Sequence, residues 1–217
     1  MIHEIRELCD EHEMLMIVDE TISGFRFGLG GAQRYLDFTP DLAILGPSIV
    51  GGMPFGVLMG REGAMERALD HALLPTAAMR VHPLSLISAQ WCLDELSNMG
   101  TQSANQLMMM GRHLMTGLRS LAQRLELPLY PQGPGPMFHT LLTKTGVVAG
   151  HVHDYRDFVL RNDNIRWAHL RQCLLRNGLL VTESGQWFLS FAHTRKDLDG
   201  ALDCAERAFM DHMASWE

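Results

Sequence analysis

Asp19 and Glu20 are the first residues in this chain placed for chemistry. They follow an apolar run, Met14 to Val18, bounded by turn signals, which reads as a buried strand. A carboxylate at the carboxyl end of such a strand sits where α/β sheets place their ligands. An acid there also serves as a cap or an ion-pair partner, so position alone leaves both uses open. Arg26 could hold an anion or a surface carboxylate. Gly51-Gly52 could approach a phosphate or simply form a tight turn. His82, His139, His151, His153 and His193 offer imidazoles, but only His151-x-His153 is a close pair. No third metal ligand is placed by spacing, which favours solvated or core histidines.

The elements that must position these groups can be read along the chain. Ile2 to His12 patterns as an amphipathic helix, with Ile2, Ile5 and Leu8 on one face. Strands are expected at Met14 to Val18, Leu42 to Leu45 and Phe55 to Met59, with a short helix near Gln33 to Leu36 and a helix at Glu62 to Leu69. Pro47 lacks an amide hydrogen and suits a loop. Long helices follow at Leu84 to Leu96 and Asn105 to Leu125, interrupted at Gly100. The remainder patterns as α+β. Strands are expected at Leu127 to Tyr130, Met137 to Leu142, Leu179 to Thr182 and Trp187 to Phe191. Helices are expected at Asp154 to Leu160, Arg166 to Arg176 and Lys196 to His212, and Pro131 to Pro136 reads as a stiff loop.

The stretch from Met14 to Pro54 resembles the class III (fold type I) pyridoxal-phosphate aminotransferases, and within them glutamate-1-semialdehyde aminomutase most. The matching residues are Asp19-Glu20, Ser23-Gly24-Phe25-Arg26, Leu29-Gly30-Gly31-Ala32-Gln33, Thr39-Pro40-Asp41-Leu42, Leu45-Gly46 and Gly51-Gly52-Met53-Pro54-Phe55-Gly56. Ser190-Phe191-Ala192-His193-Thr194, followed by Asp197-Leu198-Asp199, extends the likeness to the C-terminal region. It covers nearly the whole chain but only about the second half of the family's usual length. The resemblance implies an α/β fold: a partial fold type I large domain, with three strands of its sheet, over residues 1–100, and a small C-terminal α+β domain over 101–217. It also implies that Asp19 binds the pyridine nitrogen of the cofactor.

The departures from the family are as specific as the matches. The family's Leu-Gly pair is followed by the lysine that holds the cofactor as an imine. Here Gly46 is followed by Pro47, which has no primary amine. The chain has two lysines, Lys144 and Lys196, and neither aligns with that position. Thr21 stands where the family usually has an apolar residue packed on the ring. The segment whose threonine reaches the cofactor phosphate aligns with Ala77 to Pro83, which puts Ala78 at that threonine and His82 at the asparagine before proline. Thr76 lies two residues away and could make the contact after a register shift.

Composition bounds the rest. The net charge is −7, and no basic patch suggests nucleic acid. Four scattered cysteines, Cys9, Cys92, Cys173 and Cys204, fit reduced thiols in the cytoplasm better than a disulfide framework. The N-terminal residues lack an apolar signal core, and no run has the roughly 18 apolar residues a membrane span needs. Fifteen methionines suit a core or a subunit interface.

Three strands cut from a larger sheet would leave both flanks unpaired and both faces wet. Each ~1,000 Å² of apolar surface left wet forgoes about 25 kcal/mol, more than a typical domain's net stability. The chain is therefore expected to associate, either with a protein supplying the N-terminal half or a full-length homologue, or with itself. Three functions follow. The first is a non-catalytic subunit of a split or heteromeric enzyme acting on an amino acid or amino-aldehyde. The second is a stand-alone interaction or regulatory protein. The third is a residual enzyme holding pyridoxal 5'-phosphate without a covalent bond.

Overall fold

The computed structural model describes residues 1–70 and 82–216. The chain divides into two compact units, Met1–Asn105 and Gln106–Glu217.

The first unit opens with α1 (Ile2–Glu11), followed by β1 (Ile17–Glu20), the short helix α2 (Gly31–Tyr35) and β2 (Leu42–Leu45). A single 3-10 turn, Pro47–Ile49, leads to β3 (Val57–Gly60), α3 (Glu62–Asp70) and α4 (Pro83–Met99). The sheet order is β1-β2-β3; β1 and β2 are parallel, and β2 and β3 antiparallel. The register pairs Asp19 with Ile44 and Ile44 with Leu58.

The first strand begins three residues later than its apolar pattern suggests, and Asp41 explains the difference. Its carboxylate accepts the Met16 amide at 2.8 Å and the Arg6 guanidinium at 2.7 Å. The Met16 carbonyl in turn accepts the amides of Asp41 and Leu42. Met16 is thus spent on anchoring the start of β2, and ladder pairing starts at Ile17. The same carboxylate ties α1 to the sheet through Arg6 and reaches Arg61 at 3.3 Å.

Apolar packing in this unit is thin. Ile49, Val50 and Ala89 form a small buried cluster, supported by Phe25, Met53 and Phe55. Ile17 is 56% exposed, and Ile44 and Leu58 beside it are also exposed. Along α4, Leu84, Ile87 and Trp91 lie open to solvent, Trp91 at 65%. Ser85 and Ala89 of this helix face inward, and the Leu84–Ile87–Trp91 stripe does not.

The second unit contains most of α5 (Thr101–Arg124), then β4 (Leu129–Gln132), β5 (Met137–Leu142), α6 (Tyr155–Arg161), α7 (Asn164–Arg176), β6 (Gln186–Phe188) and α8 (Arg195–Ser215). Its antiparallel sheet has the order β4-β5-β6. Leu114 and Leu118 of α5, Leu142 of β5, Leu170 of α7 and Phe209 of α8 meet in one continuous core. Phe138 and Trp187 stack across β5 and β6 at 5.6 Å. The motif Ser190 to Asp199 starts α8. His193 Nδ1 accepts the Ser190 amide at 3.0 Å, and Thr194 and Asp197 form a reciprocal capping box.

Two expectations fail in this unit. Pro131 and Gln132 belong to β4 rather than to a loop, which an edge strand permits because a missing ladder donor can face solvent. Leu179 to Thr182 forms no strand. The Leu179 amide closes α7 on the Leu174 carbonyl, and the Val181 carbonyl accepts Arg171 Nε at 3.0 Å. These bonds tie the segment to α7 instead of to the sheet.

Asp41 supplies a test of this scheme. The Met16 amide and Arg6 hold its carboxyl below the ordinary value of 3.8. A carboxyl depressed by folding stabilises above its ordinary value and stops doing so as pH falls through the folded value. Asp41→Asn is expected to lower the urea midpoint at pH 7, and its deficit relative to wild type should shrink as pH falls below 3.8.

Candidate functional site

The acidic pair at the end of β1 splits into two roles because successive strand residues point to opposite faces. Glu20 turns into the Gly-rich loop and is fully buried. Its carboxylate accepts the amides of Ala32 at 2.8 Å and Gln33 at 3.1 Å, the Gln33 side chain at 3.0 Å and the Ser23 hydroxyl at 3.1 Å. Gly31 has a φ of +58°, and a Cβ there would lie 2.5 Å from a Glu20 oxygen. The Gly30-Gly31-Ala32-Gln33 motif is thereby explained as a cradle for a buried carboxylate. Only glycine at position 31 admits it.

Asp19 turns the other way, onto the face carrying Ile17, Ile44 and Leu58, and is exposed. The Thr21 amide donates to its Oδ1 at 2.8 Å and holds the carboxyl below its ordinary value. It therefore presents an ionised acceptor at the carboxyl edge of the parallel β1–β2 pair, the edge at which α/β sheets bind ligands.

Pro47 belongs to the same edge. It is exposed and begins the 3-10 turn after β2. Gly46, just before it, is buried against Thr21; a Cβ at position 46 would lie 2.9 Å from the Thr21 Cβ. Thr21 thus links the two halves of the site, its backbone amide on Asp19 and its body on Gly46. The Gly51-Gly52 segment is an exposed left-handed turn, φ +57° and +94°. Two α4 side chains hold it on either side: Ser88 Oγ donates to the Val50 carbonyl and Ser85 Oγ to the Pro54 carbonyl.

The other candidates lie elsewhere. Thr76 and Ala78 fall outside the described residues. Arg26 is half-buried, which lowers its pKa, and its Nε donates to the Ile22 carbonyl at 2.8 Å. Lys144 belongs to the second unit, where its amine donates to the Leu160 carbonyl at 2.8 Å. His139 meets the Ser184 carbonyl, and burial lowers its pKa. The rings of His151 and His153 are 4.9 Å apart, and among the described residues no group of three metal-binding side chains gathers. On the opposite face of the first sheet, an apolar cavity of about 570 Å³ is lined by Glu20, Phe25, Leu45, Ile49, Phe55 and Met59 among others. The alternating pattern of β1 could have assigned Glu20 to that face. Its pairing with the Gly-rich loop had no signal beyond the motif itself.

The geometry fits one end of a pyridine cofactor and not its covalent attachment. Asp19 can accept a protonated ring nitrogen. Position 47 has no amine to form an imine.

A model of the class-III aminotransferases matches residues 1–194 of this chain. Among solved structures, an omega-transaminase from Sphaerobacter thermophilus is similar over 98% of this chain and 48% of its own, at 22% identity and a TM-score of 0.78. A glutamate-1-semialdehyde-aminomutase from Pseudomonas aeruginosa PAO1 is similar over 96% and 47%, at 19% identity and a TM-score of 0.77. An N-acetylornithine aminotransferase from Stenotrophomonas maltophilia K279a is similar over 99% and 52%, at 20% identity and 0.77. The chain spans about half the length of these relatives. These likenesses establish the α/β fold as part of the fold type I large domain. No helix among the described residues is long and apolar enough to cross a membrane.

The two acids predict unequal mutational outcomes. Glu20→Ala strands two backbone amides and should cost about 3 kcal/mol in urea unfolding, on the scale of hydrogen bonds to a charged group. Asp19→Asn, at an exposed position where the side-chain oxygen can still accept the Thr21 amide, should lower the urea midpoint far less.

Proposed function

The chain belongs to the class-III aminotransferases, and from that premise we propose that it is a non-catalytic subunit of a heteromeric pyridoxal-phosphate enzyme. The observation that carries this reading is Pro47, standing at the carboxyl edge of β1 and β2 beside Asp19 and the Thr21 that donates to it. An imine requires a primary amine, and proline supplies none. The second polypeptide, a full-length homologue or the missing N-terminal half, brings the lysine and the phosphate cradle. The substrate class is an amino acid or amino-aldehyde.

This chain's own contribution is the exposed Asp19 carboxylate, kept ionised by the Thr21 amide, and the surface around it. Pyridoxal phosphate, where bound, supplies an electron-accepting ring. Because position 47 does not fit its attachment, no reaction step is assigned to this chain. The wet apolar face around Ile17, Ile44 and Leu58 supports the need for a second polypeptide, since sheets of this kind are covered on both faces. The exposed α4 stripe adds to that uncovered surface.

Native mass and absorbance, measured for the chain alone and after co-expression with a full-length class-III homologue, test the reading. The expected result is a defined heteromer that holds pyridoxal phosphate, and a chain that alone retains none through desalting after borohydride reduction. A monodisperse, cooperatively melting monomer that ignores the homologue would overturn the heteromer. Retention of reduced cofactor by the chain alone would overturn its non-catalytic role.

A further inference from the structure

Within the second unit, the end of α8 is fastened to α7 by a chain of imidazoles. His212 is fully buried. Its Nε2 accepts from Arg166 Nε at 3.3 Å, and its Nδ1 lies 2.8 Å from His169 Nδ1. An imidazole that accepts at Nε2 carries its proton at Nδ1, so His212 donates to His169. His169 then carries its proton at Nε2, 3.5 Å from Ser215 Oγ, whose hydroxyl donates to the Asp211 carbonyl at 2.5 Å. Trp216 lies parallel to the His212 ring at 5.6 Å and covers the arrangement.

The bond from Arg166 requires a neutral His212, because Nε2 can accept only while it carries no proton. Protonation would put a second N–H on Nε2, facing the Arg166 donor. The charged and titratable groups that α7 turns toward it are Asp163, Arg166 and His169. Asp163 favours the proton, but its Oδ1 is occupied by the Arg166 amide at the start of α7. On α8 itself, the Asp211 carboxylate is engaged by the Asn177 side chain at 2.8 Å. Among the described residues, no carboxylate therefore accepts from His212.

We propose that the C-terminal turn of α8, Asp211 to Trp216, is an acid-released latch, closed on α7 while His212 is neutral and opened by its protonation. Burial, His169 and Arg166 together lower the His212 pKa from 6.5 to about 4. The sign follows from linkage. The open turn binds a proton between those two values and the closed turn does not, so closure is complete above 6.5 and weakens as pH falls toward 4. The open fraction rises up to tenfold per pH unit in that window, about twentyfold between pH 7 and pH 5. Local opening of this kind leaves the rest of a unit folded.

Hydrogen exchange of the full chain, corrected for the intrinsic pH dependence, reads the latch directly. The expected result is a loss of protection of about twentyfold at residues 211–216 between pH 7 and pH 5, with the middle of α5, around Leu114 and Leu118, unchanged. His212→Asn should abolish the pH dependence. Should that variant not fold, the wild-type His212 ring signals followed by NMR decide the matter: they should stay those of a neutral imidazole to below pH 5. PH-independent protection, equal loss in α5, or a His212 midpoint near 6.5 would overturn the latch.

Discussion

The buried carboxylate of Glu20 is the interaction on which the first unit depends. An ionised carboxylate taken out of water must find donors or cost several kcal/mol. Here the donors come from one loop: the amides of Ala32 and Gln33, the Gln33 side chain and the Ser23 hydroxyl. That requirement fixes the path of the chain between β1 and β2 and demands glycine at position 31. It also sets the strand's alternation, and with it the outward direction of Asp19. A buried residue thus determines which way its exposed neighbour faces.

The two units differ in how far each satisfies itself. The second has a continuous core of leucines, Trp167 and Phe209, shared by three helices and a sheet. The first has a small cluster around Val50 and Ala89, and a sheet whose apolar residues remain wet. Its carboxylates, by contrast, are well supplied: Asp41, Glu20 and Asp19 each have backbone donors. Hydrogen bonds hold the shape of this unit, while the apolar residues of its sheet stay exposed.

The site at the edge of β1 and β2 has the same divided character. Thr21 joins Asp19 to Gly46, so the contact that could receive a ring nitrogen is intact and adjacent to the position that could not bind covalently. Keeping one without the other is coherent for a chain whose site is completed by another, and that is the physical content of the proposed subunit role.

The sequence alone determined the family, the α/β character, the locations of β2, β5, α7 and α8, and the absence of an amine at position 47. These depend on local pattern and residue identity, which need no neighbours to be read. Tertiary structure decided what Asp19 and Glu20 each do, because two adjacent acids differ only in which face of a strand they meet. It decided that β1 starts at Ile17, because Asp41, distant in sequence, claims the backbone of Met16. It withheld a strand from Leu179 to Thr182, because the end of α7 and Arg171 take up its polar groups. The His169–His212 relay was legible nowhere in the sequence, since its members lie 43 residues apart and meet only where α8 packs on α7.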